Sequence, residues 1–453
     1  MINTFLLAIP FLISLVIGFN IIQIILPKKE KISFLFHFFL ATGLGAGITA
    51  FVGFFCLAIF NKVHIPISIV INIIILLATT GLAFQKTKKE KIQFFDFSKK
   101  SLKPLGLLIA LLILMFPSWI YANFYPFGGW DAWQVWNFKA KFLFLSGENW
   151  TNMFDPILWR SSPHYPLFLP LMNVWGWSFI NEASYFTPLL TSLYFTFSLL
   201  GLLYCSIKHF SSSRLACLII LPIVFLTIFT KLTTSQYADL LVGYYLLATV
   251  VCLMLSIKKK SSSFALLGGI FNGFLAFTKG EGLLAAGILG LLSLLYFFII
   301  NKNSKSIKNF LYFAIACAAA LIPSLIFYGF WAPDNVTFSN GILSQANQSS
   351  FLRFKIIWAF YFFELISGKW HGLWILLLGG MVLAHIKGFR RLNIIMPLFL
   401  LSYLGAITLY YQTNTHFEIA WWLSVTLTRV LFAILPIAVL WVSTSVWQER
   451  YKI

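Results

Sequence analysis

The strongest constraint on this chain is the recurrence of apolar runs about as long as a membrane is thick. A helix needs about 20 apolar residues to cross a ~30 Å hydrocarbon core, and runs such as 3–26, 33–60 and 239–257 meet that length. Lipid offers no partner to an unpaired amide, so these segments must be helices. With 60% of its 453 residues hydrophobic and 10% charged, the chain reads as an all-α polytopic membrane protein of roughly 13 spans. The spans fall near 3–26, 33–60, 66–84, 104–123, 186–207, 214–230, 239–257, 262–277, 282–300, 310–330, 370–386, 392–411 and 429–446.

Charge then orients the spans. A formal net charge of +20 suggests nucleic acid when it is concentrated on one face of a fold. Here it follows the loops. Those proposed as cytoplasmic (28–31, 86–103, 208–214, 258–260, 302–308, 387–391 and 450–452) hold 23 of the 33 Lys and Arg, as the positive-inside rule requires. Nine of the 13 acidic residues fall on the other side. The N-terminus is expected outside and the C-terminus in the cytoplasm. Anionic membrane lipid is an expected contact, and nucleic acid is not an expected partner. The first apolar run lacks a basic lead and a small-x-small cleavage site, so no cleavable signal is expected. All five cysteines lie in apolar runs and none forms a CxxC. They read as small core hydrophobes, not as disulfides or metal ligands.

Three stretches break the monotony. The first outer loop, 124–185, carries Phe127 to Pro170, with Trp130, Trp133, Trp136, Trp150 and Trp159, three carboxylates and three cationic residues. Its end, Tyr165 to Ile180, is apolar but opens on Pro166 and Pro170. A span there would invert every later loop, so a helix at the outer interface, anchored by Trp175 and Trp177, is expected. Ser261 to Ile300 is interrupted by Thr278-Lys279-Gly280-Glu281-Gly282. Lysine clusters flank it on both sides, which fits two helices with the turn outside. Residues 1–103 read as a three-helix extension with a basic loop, and 104–453 as the main membrane domain.

Asp131 is the foremost chemical candidate. It follows Gly128-Gly129-Trp130 just where a span exits, and a partly desolvated carboxylate there suits a base. The sequence WDAW-x2-W-x2-KAKFL, followed by SSPHYPLFLP, resembles the first outer loop of the GT-C superfamily of membrane glycosyltransferases. More narrowly, it is similar to bacterial relatives of protein O-mannosyltransferases and lipid A aminoarabinose transferases. The likeness continues at Tyr237-Ala238-Asp239, at LAFTKGEG (275–282) and at Ala420-Trp421-Trp422-Leu423 with Arg429, and so covers about 104–446. Ala132 stands where many relatives carry a second acid, and four spans precede the loop where many have one.

The resemblance implies an inverting transferase that moves a sugar from a polyprenyl-phosphate carrier to an envelope acceptor (glycan, lipid or protein). The active site would face outward from a bacterial inner membrane. Asp131 would be the base, and Lys279, Arg429, Lys139 and Arg160 the candidate lipid-phosphate ligands. Trp130, Trp133, His164, Tyr165, Asp239 and Glu281 would bind substrate or shape the site. Asp131 and Asp239 could instead share Mg²⁺ or Mn²⁺ if the reaction is metal-dependent. Each motif also has a plainer reading. The TKGEG turn could be a hairpin tip, Arg429 a snorkelling arginine, His164 a cap of its turn, and Asp239 an acid favoured by a helix dipole. A lipid-linked-sugar flippase and a surface-polysaccharide ligase or polymerase remain the alternatives.

Overall fold

A computed structural model describes residues 4–30, 32–90, 99–300, 303–334, 351–386, 395–414 and 416–446. Among them every regular element is helical. Helix α1 (Thr4–Ile25) and α2 (Phe34–Phe60) are followed by α3 (Ile65–Glu90), α4 (Lys99–Leu114) and α5 (Phe116–Phe124). A π-helical turn, Ala132–Trp136, leads into α6 (Asn137–Leu145), and 3-10 turns lead on to α7 (Phe168–Ile180). Then come α8 (Phe186–Phe210), α9 (Ser213–Val224), α10 (Thr227–Thr234), α11 (Ala238–Lys259), α12 (Ser262–Ala276) and α13 (Gly280–Leu295). The last are α14 (Ser304–Ile326), α15 (Phe351–Ile366), α16 (Leu373–Ile386), α17 (Ile395–Thr413) and α18 (Ile419–Val446).

Ten helices among the described residues are long and apolar enough to cross a membrane. Three of the thirteen expected spans are not among these ten, and a fourth begins elsewhere. The span expected at 214–230 is a pair, α9 and α10, bent by 76°. α12 and α16 are apolar but only 15 and 14 residues long. α18 begins at Ile419, ten residues before the expected start of that span, so Arg429 sits well inside a helix.

The core forms around α11, whose span is 94% buried, and is flanked by α2, α8 and α18; α3, at 17%, stands at the periphery. The small residues of α2 (Ala41 to Ala50) admit close neighbours on two sides, as close-packed membrane helices require. Ser14 of α1 reaches Thr49 at 3.1 Å, and the Tyr245 hydroxyl of α11 donates to the Gly43 carbonyl at 2.8 Å. α1 and α2 are therefore built into one continuous core with the later helices.

The two ends of the bundle differ. At one end Lys28 donates to the Glu90 carbonyl, Lys86 to those of Ile24 and Leu26, and Lys259 to that of Glu30. The basic segments at 28–30, 86–90 and 258–260 thus meet, as alternating spans require; Lys31 and the clusters at 387–391 and 450–452 lie outside the described residues. α7 belongs to the opposite end, but it does not lie along a surface. Phe168 to Trp177 are all buried, and Trp175 Nε1 donates into α1, to Pro10 O at 3.0 Å and Ser14 Oγ at 3.1 Å. Its tryptophans have protein partners, and indoles with such partners do not need the headgroup region.

Candidate functional site

Helix length sets the depth of the site. α12 rises from the basic end for only 15 residues, about 22 Å at 1.5 Å per residue. Its partner α13 therefore starts below the far rim of the bundle. The turn between them holds because Thr278 Oγ1 donates to Leu275 O at 2.7 Å, and because residue 282 is glycine. A Cβ there would meet Leu275 O at 2.3 Å and Thr278 Oγ1 at 2.4 Å. The turn points Lys279 into the bundle, where its side chain is 4% exposed.

Opposite it, α11 begins with Asp239 in its first turn. The preceding Gln236 takes φ +60°, which turns the chain sharply into the helix. The Gln236 side chain ties this turn to the first large loop. Its Nε2 donates to Pro126 O at 2.8 Å, and its Oε1 accepts from Asn137 Nδ2 at 2.9 Å. Asn137 Oδ1 in turn accepts from Asn173, and Asn173 Oδ1 from Thr191. A chain of amides thus fixes the loop, α7 and α8 relative to Asp239. Gly128 has φ +72°, and the Gly129 amide donates to Ser235 O at 3.0 Å. A Cβ on Gly129 would meet the Tyr237 hydroxyl at 2.2 Å. The two glycines let Asp131 approach the start of α11.

The result is one ionic network from four separate parts of the chain. Asp239 Oδ1 accepts from Lys279 at 3.0 Å, and Oδ2 from Arg429 Nε and Nη2 at 3.1 and 2.9 Å. Arg429 Nη2 also reaches Asp131 Oδ2 at 2.7 Å, and Lys279 reaches Glu281 Oε1 at 2.9 Å. The guanidinium lies 4.5 Å from the Tyr237 ring centre, and the ammonium 5.7 Å from that of Tyr165. Both are cation–π distances. Asp239 is the sealed counter-ion of two cations; Asp131, 18% exposed, is held by one of them. Three carboxylates against two cations leave the network one negative charge in excess.

The remaining expected site residues fall elsewhere. Lys139 is fully buried and donates to the carbonyls of Ser162 (2.7 Å), Pro163 (3.4 Å) and Tyr165 (2.8 Å). It clasps the Ser-Pro-His-Tyr turn, and burial pulls its ammonium well below the ordinary lysine range. His164 stands on that clasped turn. Burial, and then the charge of Lys139, pushes its imidazole down to about 3. Burial, and then Glu281, pushes the Tyr165 phenol well above its ordinary value. Arg160 is exposed, stacked 5.3 Å from the Trp159 ring. Trp130 and Trp133 are half exposed and pack on each other edge to face at 5.9 Å.

Asp131 and Asp239 do converge, but around a guanidinium. A divalent ion between them would need the place Arg429 occupies, so this donor set does not fit one as arranged. Among the described residues no group of three or more His, Cys, Asp or Glu is placed to share a metal. No family model, curated protein or solved structure matches the chain.

The sequence assigns no role to three tyrosines near the network. Tyr237 stands out there only as the neighbour of Asp239. Tyr403 and Tyr411, on α17, interact electrostatically with Glu281. Their only signal was aromatic residues in an apolar run, which is indistinguishable from core.

Proposed function

We propose that the chain is an inverting glycosyltransferase that moves a sugar from a polyprenyl-phosphate carrier to an acceptor hydroxyl in the cell envelope. The observation that carries this reading is the Asp131–Arg429–Asp239–Lys279 network, assembled from residues as far apart in sequence as 131 and 429. Ionisable groups inside a membrane bundle are costly and mark functional sites by default. Here they supply what the transfer needs: a carboxylate beside two cations, at a depth that a membrane-held phosphate reaches.

In the reaction the acceptor oxygen attacks the anomeric carbon. The bond from that carbon to the phosphate oxygen breaks, and its electron pair leaves with the polyprenyl phosphate. The acceptor proton passes to Asp131. Arg429 and Lys279 face the charge that grows on the leaving phosphate. A phosphate approaching Arg429 competes with the carboxylates already there. Asp239 is buried and tied to both cations, whereas Asp131 is the more exposed and, among the described residues, is ion-paired to Arg429 alone. Asp131 is therefore the group displaced, and donor binding frees the base. A single displacement inverts the anomeric centre. The site faces outward in this reading, because Lys28, Lys86 and Lys259 gather at the opposite end and basic loops stay in the cytoplasm.

The test is transfer of labelled sugar in proteoliposomes that contain a polyprenyl-phosphate-linked donor. Asp131→Asn is expected to abolish transfer with the thermal midpoint unchanged. Transfer at the wild-type rate would remove Asp131 from its role. The 76° break between α9 and α10 favours a second reading, since transporters use broken helices. Passage of the labelled lipid-linked sugar across the bilayer without covalent transfer would establish that reading instead.

A further inference from the structure

Glu281 is the carboxylate of the network with spare capacity. It is a quarter exposed, and its one ionic partner among the described residues, Lys279, takes Oε1. Four phenols from three other parts of the chain lie within electrostatic reach of it. They are Tyr165 on the Pro turn, Tyr328 just after α14, and Tyr403 and Tyr411 on α17. Two of these have visible structural duties. Tyr411 shares a hydrogen bond with Thr426 at 2.7 Å, and Tyr165 stacks on Trp136 at 5.4 Å beneath Lys279.

Tyr403 is different. It is 1% exposed, its ring stacks on Phe399 at 5.6 Å, and its hydroxyl has no hydrogen-bond partner among the described residues. α17 packs against α13, the helix that opens on Glu281, and Tyr403 feels the charges of Glu281 and Asp239. Helix register agrees. Tyr403 lies ten residues before the end of α17, and Arg429 ten residues after the start of α18, the helix that follows it. Both are thus about 15 Å below the rim. A buried polar group without a partner is rare enough to require a reason. A ligand that brings the missing partner is such a reason.

The chemistry narrows the ligand. Glu281 repels an anion and accepts from hydroxyls, and Tyr403 can donate one hydrogen bond and accept another. Stacked aromatic rings beside them suit the C–H face of a small ring. We propose that Glu281 and Tyr403 form the glycosyl subsite: they hold hydroxyls of the sugar ring whose phosphate meets Lys279 and Arg429. This rests on the glycosyltransferase reading and adds which residues hold the sugar.

Tyr403→Phe tests it, because it deletes the unpartnered hydroxyl and keeps the ring. Binding would be measured to polyprenyl phosphate and to the same lipid carrying hexoses or pentoses. The variant is expected to fold at least as well as the wild type. It should bind the best glycosylated lipid about fivefold to tenfold more weakly, the size of one neutral hydrogen bond, and bind the bare lipid unchanged. Glu281→Gln removes a carboxylate that competes for Lys279, so it should bind the bare lipid at least as tightly as the wild type does and lose the preference for the glycosylated lipid more strongly than Tyr403→Phe. Equal losses for both lipids, or none for either, would overturn the subsite and leave the transferase reading standing. A wild-type protein that prefers no glycosylated lipid and transfers no sugar would overturn both.

Discussion

Two lysines are buried at the same end of this bundle, and they are held by opposite chemistry. Lys139 gives its protons to three backbone carbonyls and closes a turn. Lys279 gives its protons to two carboxylates and belongs to a network that continues through Asp239 to Arg429. Carbonyls have no other use for their lone pairs, so the first lysine is committed to structure. Carboxylates can exchange one cation or proton for another, so the second sits where a charged ligand can enter. A lysine beside a membrane is thus read by what it touches; burial alone does not separate the two.

Replacing each lysine with Met is the sharpest way to break that comparison, and carries the largest expected effect. Lys279→Met leaves Asp239 paired with Arg429, so the protein should fold. Transfer should fall about a hundredfold or more, the scale of losing one charge-stabilising donor. Lys139→Met should do the reverse. It strands the carbonyls of Ser162 and Tyr165, at a cost of about 1–3 kcal/mol for each group left unsatisfied, while transfer per folded molecule stays within twofold. Thermal midpoints in detergent and initial rates per folded molecule decide it. If Lys139→Met lost transfer at an unchanged midpoint, the lysine would belong to the site after all.

The sequence carried much of this and missed definite parts. Periodicity and length were enough for the long helices, and the TKGEG interruption was enough for the α12–α13 hairpin, because a lysine cluster at each end allowed no other layout. Asp131, Asp239, Lys279 and Arg429 were legible as polar residues near span ends. Their pairing was not, since it depends on how far α12 rises before it turns. Nothing in KAKFL separates Lys139 from Lys141, although the helix sends the first inward and leaves the second exposed. Trp175 and Trp177 looked like interfacial anchors because a sequence shows the indole and not the Pro10 carbonyl that receives it. Tyr403 was invisible because a tyrosine in an apolar run reads as core, and the carboxylate whose charge it feels stands on another helix.

The clasped turn gives a smaller effect, through pH. His164, with its pKa pushed down to about 3, stays neutral in the folded protein where a free histidine, near 6.5, would charge. Between those values the unfolded chain binds the extra proton, so stability rises with pH across the window and falls as the medium is acidified. From pH 7 to pH 5 this one group should cost about 2 kcal/mol. His164→Gln should flatten that part of the curve while the pH profile of transfer above pH 5 keeps its shape. An unchanged stability curve would mean that the imidazole is not held neutral by its burial beside Lys139. A transfer profile that changed shape above pH 5 would give His164 a proton to move.

The smallest effect is expected at Arg160, and it limits the comparison from outside. Arg160 was a candidate phosphate ligand on the same grounds as Lys139: a cation in the first large loop. It is exposed, with its guanidinium 5.3 Å from the Trp159 ring, and that indole in turn meets His416 edge-on at 6.4 Å. An exposed cation–π pair contributes about 0.5–1 kcal/mol at most, and surface substitutions away from special features stay near ±0.5 kcal/mol. Arg160→Ala should therefore leave the thermal midpoint nearly unchanged and transfer within twofold, with donor affinity no more salt-dependent than in the wild type. A tenfold loss of donor affinity that vanished at high salt would show the opposite. The loop surface would then attract the lipid phosphate before the buried network receives it, and the contrast between a structural loop and a chemical core would have to be redrawn at Trp159.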